Sequence, residues 1–363
     1  MARNLRNYQI TVLIREEIIM GLPDSFEYSL HSALKHGKRN LITDVPGVKV
    51  GNVTVIGRDV NTGVTAVLPH DGNLFKDKVM AAASVLNGFG KSAGLVQISE
   101  LGTIETPIIL TNTFSVGTAL TALTKYMLVD NTDIGVTTGT VNCVVAECND
   151  GRLNDIRGMH VEEEHVIQAI TKADSDFAEG AVGSGTGMCC LGVKGGIGSS
   201  SRILKIDGQE YHVGSLVMSN FGEAGNLIIG GKHIDTREES LPTLGDSKDQ
   251  GSIIMIIATD IPLSERQLKR LCNRTPVSLG RCGSYMGNGS GDIAIAFTTA
   301  NKVPHYSSGK FLNMAMIHDD DIDPVFRATV EATEEAIISS LYHAGSVTGI
   351  RGKCAHSLRE FIG

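Results

Sequence analysis

The chain has 363 residues and a net charge of −8, and 42% of its residues are hydrophobic, as in a globular protein with a sizeable core. The acidic balance argues against nucleic acid or an anionic membrane as a partner. No apolar run reaches the roughly 18 residues of a spanning helix, and charges interrupt the N-terminus where a signal peptide is apolar. We therefore expect a cytoplasmic protein that spans no membrane.

Hydrophobic patterning in the first half predicts strands separated by a few helices. Residues 1–40 are interpreted as a peripheral, partly helical segment and residues 41–363 as a single domain. The predicted strands are Asp44–Thr54 (with a turn), Thr62–Pro69, Pro107–Thr113 and Val141–Glu147. The predicted helices are Lys76–Leu86, which is rich in alanine, Ser115–Leu128 and Val161–Ala173.

The second half opens with the glycine-rich segment Gly180–Ser200, which predicts hairpins at a sheet edge because it lacks the spacing of a nucleotide-binding loop. The predicted strands that follow are Gln209–Ser219, Ser252–Thr259 and Asp292–Thr299. A helix is predicted over Leu263–Cys272 with Ser264 as N-cap, and a last one from Asp323 as cap and Pro324 at the first position to Gly345. Many strands with few amphipathic helices indicate helices on the outer faces of packed sheets.

Several polar groups are weak candidates for a site. His160 and His165 lie five apart, which is not the helical spacing of a metal pair, and a solvated helix face explains them. The run Asp319–Asp321 is explained by helix capping, and neither Cys143 nor Cys148 has a histidine nearby in sequence to activate it. The seven cysteines have no metal-site spacing, so we expect reduced thiols and no metal.

The dipeptide Gly251–Ser252 separates a polar, turn-rich stretch from an abrupt apolar run. Ser252 is either the first residue of a buried strand or the residue after a cleaved bond. In the second case its own α-amine can activate its hydroxyl as a nucleophile. The local sequence leaves both interpretations open.

Two further segments carry polar groups at strand ends. Ser290 and Asp292 lie two apart at the entrance of a strand, so both side chains can face one spot, although an ordinary turn gives the same pattern. Asn220 follows a strand, where its amide can donate to an oxyanion or merely cap a turn.

An ordered set of segments is similar to the L-aminopeptidase/D-esterase family (peptidase family S58), which includes the β-peptidyl aminopeptidases. The segments are Asp44–Gly51, Leu110–Gly117, Gly180–Gly198, Ser252–Asp260, Gly289–Asp292 and Glu331–Ala336. The resemblance implies an α+β fold, a four-layer αββα sandwich like the N-terminal nucleophile hydrolases and ornithine acetyltransferase but with its own strand connectivity. It also implies a homotetramer that needs no cofactor.

The resemblance also implies roles for individual residues. Autocatalytic cleavage before Ser252 gives pieces 1–251 and 252–363, and Ser252 is the nucleophile. Ser290 and Asp292 match the family's Ser-Gly-Glu residues, with a carboxylate one methylene shorter. The oxyanion donor matches Asn220. Glu147 matches the carboxylate that binds the substrate's free amine, and Asn149 stands where some members have an aromatic residue.

The implied activity is an aminopeptidase that releases N-terminal residues from short peptides, amides or esters, with β- or D-residues among its substrates. Three alternatives remain: an acyltransferase of the same fold, an oligoamide endohydrolase, and an inactive homologue that acts as a binding protein. Asp292 and Asn149, which depart from the family pattern, motivate the last of these.

Overall fold

The computed structural model describes strand residues 9–11, residues 22 and 30, and residues 32–237 and 250–362. The strands are β1 (Gln9–Thr11), β2 (Lys49–Gly57), β3 (Val60–Leu68), β4 (Asp77–Gly88), β5 (Thr103–Ile104), β6 (Ile108–Asn112), β7 (Val144–Cys148), β8 (Cys189–Cys190), β9 (Val193–Lys194), β10 (Gly196–Ile206), β11 (Gln209–Asn220), β12 (Leu227–Ile229), β13 (Lys232–Ile234), β14 (Gln250–Thr259), β15 (Gly289–Pro304), β16 (Val347–Thr348) and β17 (Cys354–Ala355). The helices are α1 (Leu95–Leu101), α2 (Val116–Asp130), α3 (Glu163–Thr171), α4 (Glu265–Cys272), α5 (Thr275–Arg281), α6 (Asp323–Tyr342) and α7 (Arg359–Ile362).

Most strands belong to two sheets that lie face to face. Sheet A has the order β1-β2-β3-β6-β7, and sheet B has the order β10-β11-β14-β15-β4-β5. Helices α2 and α3 contact sheet A, whereas α4 and α6 contact sheet B. The predicted αββα sandwich is confirmed.

Three hydrophobic cores separate the four layers. Strand β14 shows how one apolar run serves two of them, because its successive side chains point to opposite faces. Ile254 and Ile256 pack in the core between the sheets. Ile253 and Met255 pack in the core under α4 and α6. An uninterrupted apolar sequence is therefore the pattern of a strand that is buried on both faces.

The predicted helix at Lys76–Leu86 is wrong, because these residues form strand β4. Its register with β15 places Ala82 opposite Ala296. Ala81 faces the core between the sheets, and Ala82 faces the core under the helices. Pairing along a strand that is buried on both faces thus overrides the helix propensity of alanine.

The first strand predicted within Asp44–Thr54 is wrong, because a 3-10 turn, Ile42–Asp44, and further turns precede β2. The remaining element predictions are confirmed to within a few residues. Ser264 is the N-cap of α4, and its hydroxyl accepts a hydrogen bond from the Gln267 main chain. Helix α6 begins at Asp323, so its N-cap is Ile322 rather than Asp323. Within residues 1–40, the described residues 9–11 form a strand; the helix predicted elsewhere in that segment falls largely outside the described residues.

Helix α6 is buried on nearly all sides from Glu331 onward, and its acidic residues are therefore paired. The buried Arg202 guanidinium, on β10, donates to Glu335 Oε2 at 2.6 Å. Burial opposes ionisation of Glu335, but the hydrogen bond from His36 and the charge of Arg202 lower its pKa to about 2. The ion pair keeps α6 against sheet B without an unpaired buried charge.

Candidate functional site

Three neighbouring strands in the interior of sheet B have ends that lie side by side. Strand β11 ends at Asn220, which pairs with Ser252 near the start of the antiparallel β14. Strands β14 and β15 are parallel and begin together, so that Ser252 pairs with Gly291 and Gly251 with Ser290. Residues that lie 30 to 70 positions apart in sequence therefore come side by side.

Ser252 is buried, and its hydroxyl donates to the carbonyl oxygen of Gly251 at 2.6 Å. The nucleophile candidate thus touches the carbonyl group of the bond that precedes it. Gly291 leaves room for this hydroxyl, since a Cβ there would lie 3.0 Å from Ser252 Oγ and 2.7 Å from the Phe89 carbonyl oxygen.

Gly251 is required by the backbone around it. Its φ of 128° lies in the region that favours glycine. A Cβ at this position would lie 1.9 Å from the Asn220 carbonyl oxygen, which is far inside van der Waals contact. Only glycine lets β14 approach the end of β11 this closely.

Ser290 and Asp292 form the contact that their spacing predicts. The Ser290 hydroxyl donates to Asp292 Oδ1 at 2.6 Å, and both residues are buried. The shorter carboxylate of aspartate therefore reaches the hydroxyl. Strand pairing places Ser290 beside Gly251, next to the bond before Ser252.

The amide of Asn220 is held in one orientation. Its Oδ1 accepts from the Cys189 main-chain N–H at 2.9 Å, and its Nδ2 donates to the Asn149 carbonyl oxygen at 3.0 Å. An amide nitrogen carries two N–H groups, so the second can serve an oxyanion beside Ser252.

A buried lysine supports the loop that supplies the Cys189 N–H. Lys194 Nζ donates to the carbonyl oxygens of Gly185, Met188 and Gly195 at 3.0, 2.8 and 2.6 Å. Burial lowers the pKa of Lys194 to about 8. The glycine-rich segment contains a 3-10 turn, Gly183–Gly185, the short hairpin β8–β9 and the start of β10, which is an edge strand of sheet B.

Glu147 is the last residue but one of strand β7 in sheet A and is buried. The Lys91 main-chain N–H donates to its Oε1 at 2.7 Å, and the Thr113 hydroxyl donates to its Oε2. These donors fix the carboxylate and leave lone pairs on both oxygens. The exposed Asn149 uses its Oδ1 to accept from the Gly151 N–H at 2.9 Å.

Both sheets contribute to one cavity of about 400 Å³, a size typical of a small-molecule site. It contains Ser252, Gly251, Asn220, Glu147 and Asn149 of the predicted site residues. The remaining lining residues are Phe89, Lys91, Thr113, Gly151, Arg152, Ile156 and Gly289. Ser290 and Asp292 lie outside the lining. No histidine belongs to this described lining.

The solvated helix face predicted for His160 and His165 is wrong, because both side chains are buried and His160 precedes α3. His165 Nδ1 accepts from the Glu162 N–H at the start of α3, and Asp319 accepts from Gln267. Burial raises the pKa of Cys148 well above its ordinary value, which makes it a poor nucleophile. Within the described part of the chain there is no cluster of three or more residues suited to a metal ion and no helix able to cross a membrane.

The chain is similar to known proteins both in sequence and in structure. Residues 40–355 match Peptidase family S58. The β-peptidyl aminopeptidase BapA of Sphingosinicella microcystinivorans is 38% identical over 353 residues, with 91% of this chain and 88% of that protein covered. The PH0078 protein of Pyrococcus horikoshii OT3 superimposes with a TM-score of 0.87 at 53% identity, covering 92% of this chain and 94% of that one.

A second solved structure bears on the fold. The L-aminopeptidase D-Ala-esterase/amidase of Ochrobactrum anthropi superimposes with a TM-score of 0.83 at 35% identity, covering 91% of this chain and 93% of that one. That enzyme is described as a prototype of the serine aminopeptidases and a new variant of the Ntn hydrolase fold. The fold predicted from the sequence agrees with this description.

Asp150, directly after Asn149, is a buried carboxyl group that the sequence did not single out. Its Oδ1 accepts from Asn154 Nδ2 at 3.0 Å. Burial raises its pKa from 3.8 to about 7, although hydrogen bonds from Thr62 and Asn154 oppose the rise. The group is thus fully ionised only above neutral pH.

This shift predicts a pH-dependent stability. Between pH 3.8 and about 7 the folded protein holds a proton on Asp150 that the unfolded chain has released, so stability falls as pH rises through that window. The full shift corresponds to about 4 kcal/mol. Urea unfolding at pH 4 to 8 should show this decline in the wild type and a much smaller one in Asp150→Asn. Equal slopes in Asp150→Asn and wild type, with the exposed Asp130→Asn as control, would contradict the assignment.

Proposed function

We propose that Ser252 is the nucleophile of this chain and that the chain cuts its own Gly251–Ser252 bond. The chain belongs to peptidase family S58 and is a serine aminopeptidase. The observation that carries the proposal is the 2.6 Å contact between Ser252 Oγ and the Gly251 carbonyl oxygen. This contact lies in the cavity that also contains Asn220 and Glu147.

Self-cleavage is proposed to proceed through an ester. Ser252 Oγ attacks the Gly251 carbonyl carbon, the peptide C–N bond breaks, and the Ser252 nitrogen leaves as an amine that takes up the hydroxyl proton. Water then hydrolyses the ester, leaving a carboxylate on Gly251 and a free hydroxyl on Ser252. The pieces 1–251 and 252–363 stay together because β14 lies between β11 and β15 in sheet B.

The same groups then act on the substrate. Ser252 Oγ attacks the substrate carbonyl while its α-amine takes the proton, and the Asn220 amide stabilises the oxyanion. We propose that Ser290, oriented by Asp292, relays the proton to the leaving amine. Water releases the N-terminal residue from the acyl-enzyme, and every step uses groups of the chain and water.

Glu147 is proposed to bind the substrate's ammonium group, which restricts the enzyme to unblocked N-termini. The relatives are named as a β-peptidyl aminopeptidase and an L-aminopeptidase D-Ala-esterase/amidase. We therefore propose short peptides, amides and esters with a free amine as substrates, including those with β- or D-residues. Asn149 is polar and exposed at the cavity, and it contributes to the preference for the side chain of the substrate's N-terminal residue.

We further propose that the enzyme works in the cytoplasm as a homotetramer. None of its seven cysteines forms a disulfide, which suits a reducing compartment. Large apolar side chains are exposed on the single chain, including Phe311 at 90%, Val96 and Leu312, and subunit contacts would cover them.

Light scattering on the protein as it elutes from a size-exclusion column should give four times the 38.6 kDa chain mass. A monomer would contradict the assembly.

Ser252→Ala should remain a single chain, because no hydroxyl is left to attack Gly251. Its turnover of aminoacyl p-nitroanilides should fall by at least about 10³-fold. Denaturing mass spectrometry and a rate assay measure both effects, with the exposed Ser308→Ala as the matched control. Processing of the Ser252→Ala chain would exclude Ser252 as the cleaving group.

Glu147→Gln should lower kcat/KM for aminoacyl p-nitroanilides by about 10- to 100-fold, since a charge-assisted hydrogen bond to the ammonium is lost. The exposed Glu164→Gln is the control and should match the wild type. N-acetylated substrates should not be turned over by any of these proteins. Equal wild-type turnover of free and acetylated substrates would remove Glu147 from this role.

A further inference from the structure

Thr113 lies at a rigid position beside Glu147. It begins a short 3-10 turn, Thr113–Ser115, directly after β6. Asn112 Oδ1 accepts from the main-chain N–H groups of Phe114 and Ser115, and Asn112 Nδ2 donates to Thr62 Oγ1 at 2.8 Å. Parallel pairing of β6 with β7 then brings the start of the turn to the end of the strand that carries Glu147.

The direction of the hydrogen bond between the two side chains determines what Thr113 can do next. An ionised carboxylate only accepts, so the single hydroxyl proton of Thr113 points to Glu147 Oε2. Toward any third group the hydroxyl oxygen can therefore only accept. Both residues line the cavity that contains Ser252.

A primary ammonium group has three N–H bonds and only donates. Each oxygen of Glu147 already accepts one hydrogen bond and keeps one further lone pair. Glu147 thus offers two acceptors, and Thr113 Oγ offers a third next to them. The neighbouring Lys91 presents only a main-chain N–H to Glu147, so it does not supply this third acceptor.

We propose that Thr113 is a substrate-binding residue whose hydroxyl, together with the Glu147 carboxylate, binds all three N–H groups of a primary ammonium. The inference rests on the proposed function and adds a specificity to it. A primary amine gains the third hydrogen bond. An N-methylated amine has two N–H groups, which the two Glu147 oxygens satisfy, so it gains nothing from Thr113.

The test pairs two enzymes with two substrates. Thr113→Val keeps the shape of the side chain, and an aminoacyl p-nitroanilide is compared with its N-methylamino counterpart. The valine variant should raise KM for the primary amine about tenfold. The preference for the primary over the N-methylated substrate, as a ratio of kcat/KM values, should shrink by a similar factor. Thr113→Ser should keep the wild-type KM for the primary amine and the wild-type preference ratio. The exposed Thr121→Val is the matched control.

Self-cleavage does not use the ammonium anchor, so the valine variant should still give the two fragments. If it does not fold, Thr113→Ala takes its place with the same expected result. A folded variant that keeps the wild-type preference for the primary amine overturns the inference alone. A wild-type protein that turns over neither substrate instead overturns the proposed function.

Discussion

The site depends on the close approach of two backbones at Gly251. A side chain there would collide with the Asn220 carbonyl oxygen, and the positive φ excludes most residues independently. This contact sets the register in which Ser252 faces Asn220 on one side and Gly291 on the other. A shift by one residue would turn the Ser252 hydroxyl away from its neighbours. One glycine therefore positions the proposed nucleophile, the proposed oxyanion donor and the bond proposed to be cut.

The two sheets divide the chemistry between them. Sheet B supplies the proposed reacting groups at the ends of β11, β14 and β15, whereas sheet A supplies Glu147 near the end of β7. The cavity opens where these strand ends meet. If Glu147 and Ser252 have the proposed roles, packing between the sheets sets the distance from a substrate's amine to its scissile carbonyl.

The sequence was informative where the pattern is local. The apolar run after Ser252 and the spacing of Ser290 and Asp292 predicted a buried strand and a side-chain contact that the structure contains. The alanine-rich stretch after Lys76 led to a wrong helix prediction, because burial on both faces is a property of the assembled sheets. Thr113 could not be assigned a role, since its contact with Glu147 arises only from the register of β6 on β7.

The chain is proposed to become an aminopeptidase by releasing the amine of Ser252. The most direct measurement is the mass of the purified wild-type protein under denaturing conditions. We expect two fragments in equal amounts, one that ends at Gly251 and one that begins at Ser252. A single intact chain of 38.6 kDa in a protein that nevertheless turns over aminoacyl p-nitroanilides would contradict it.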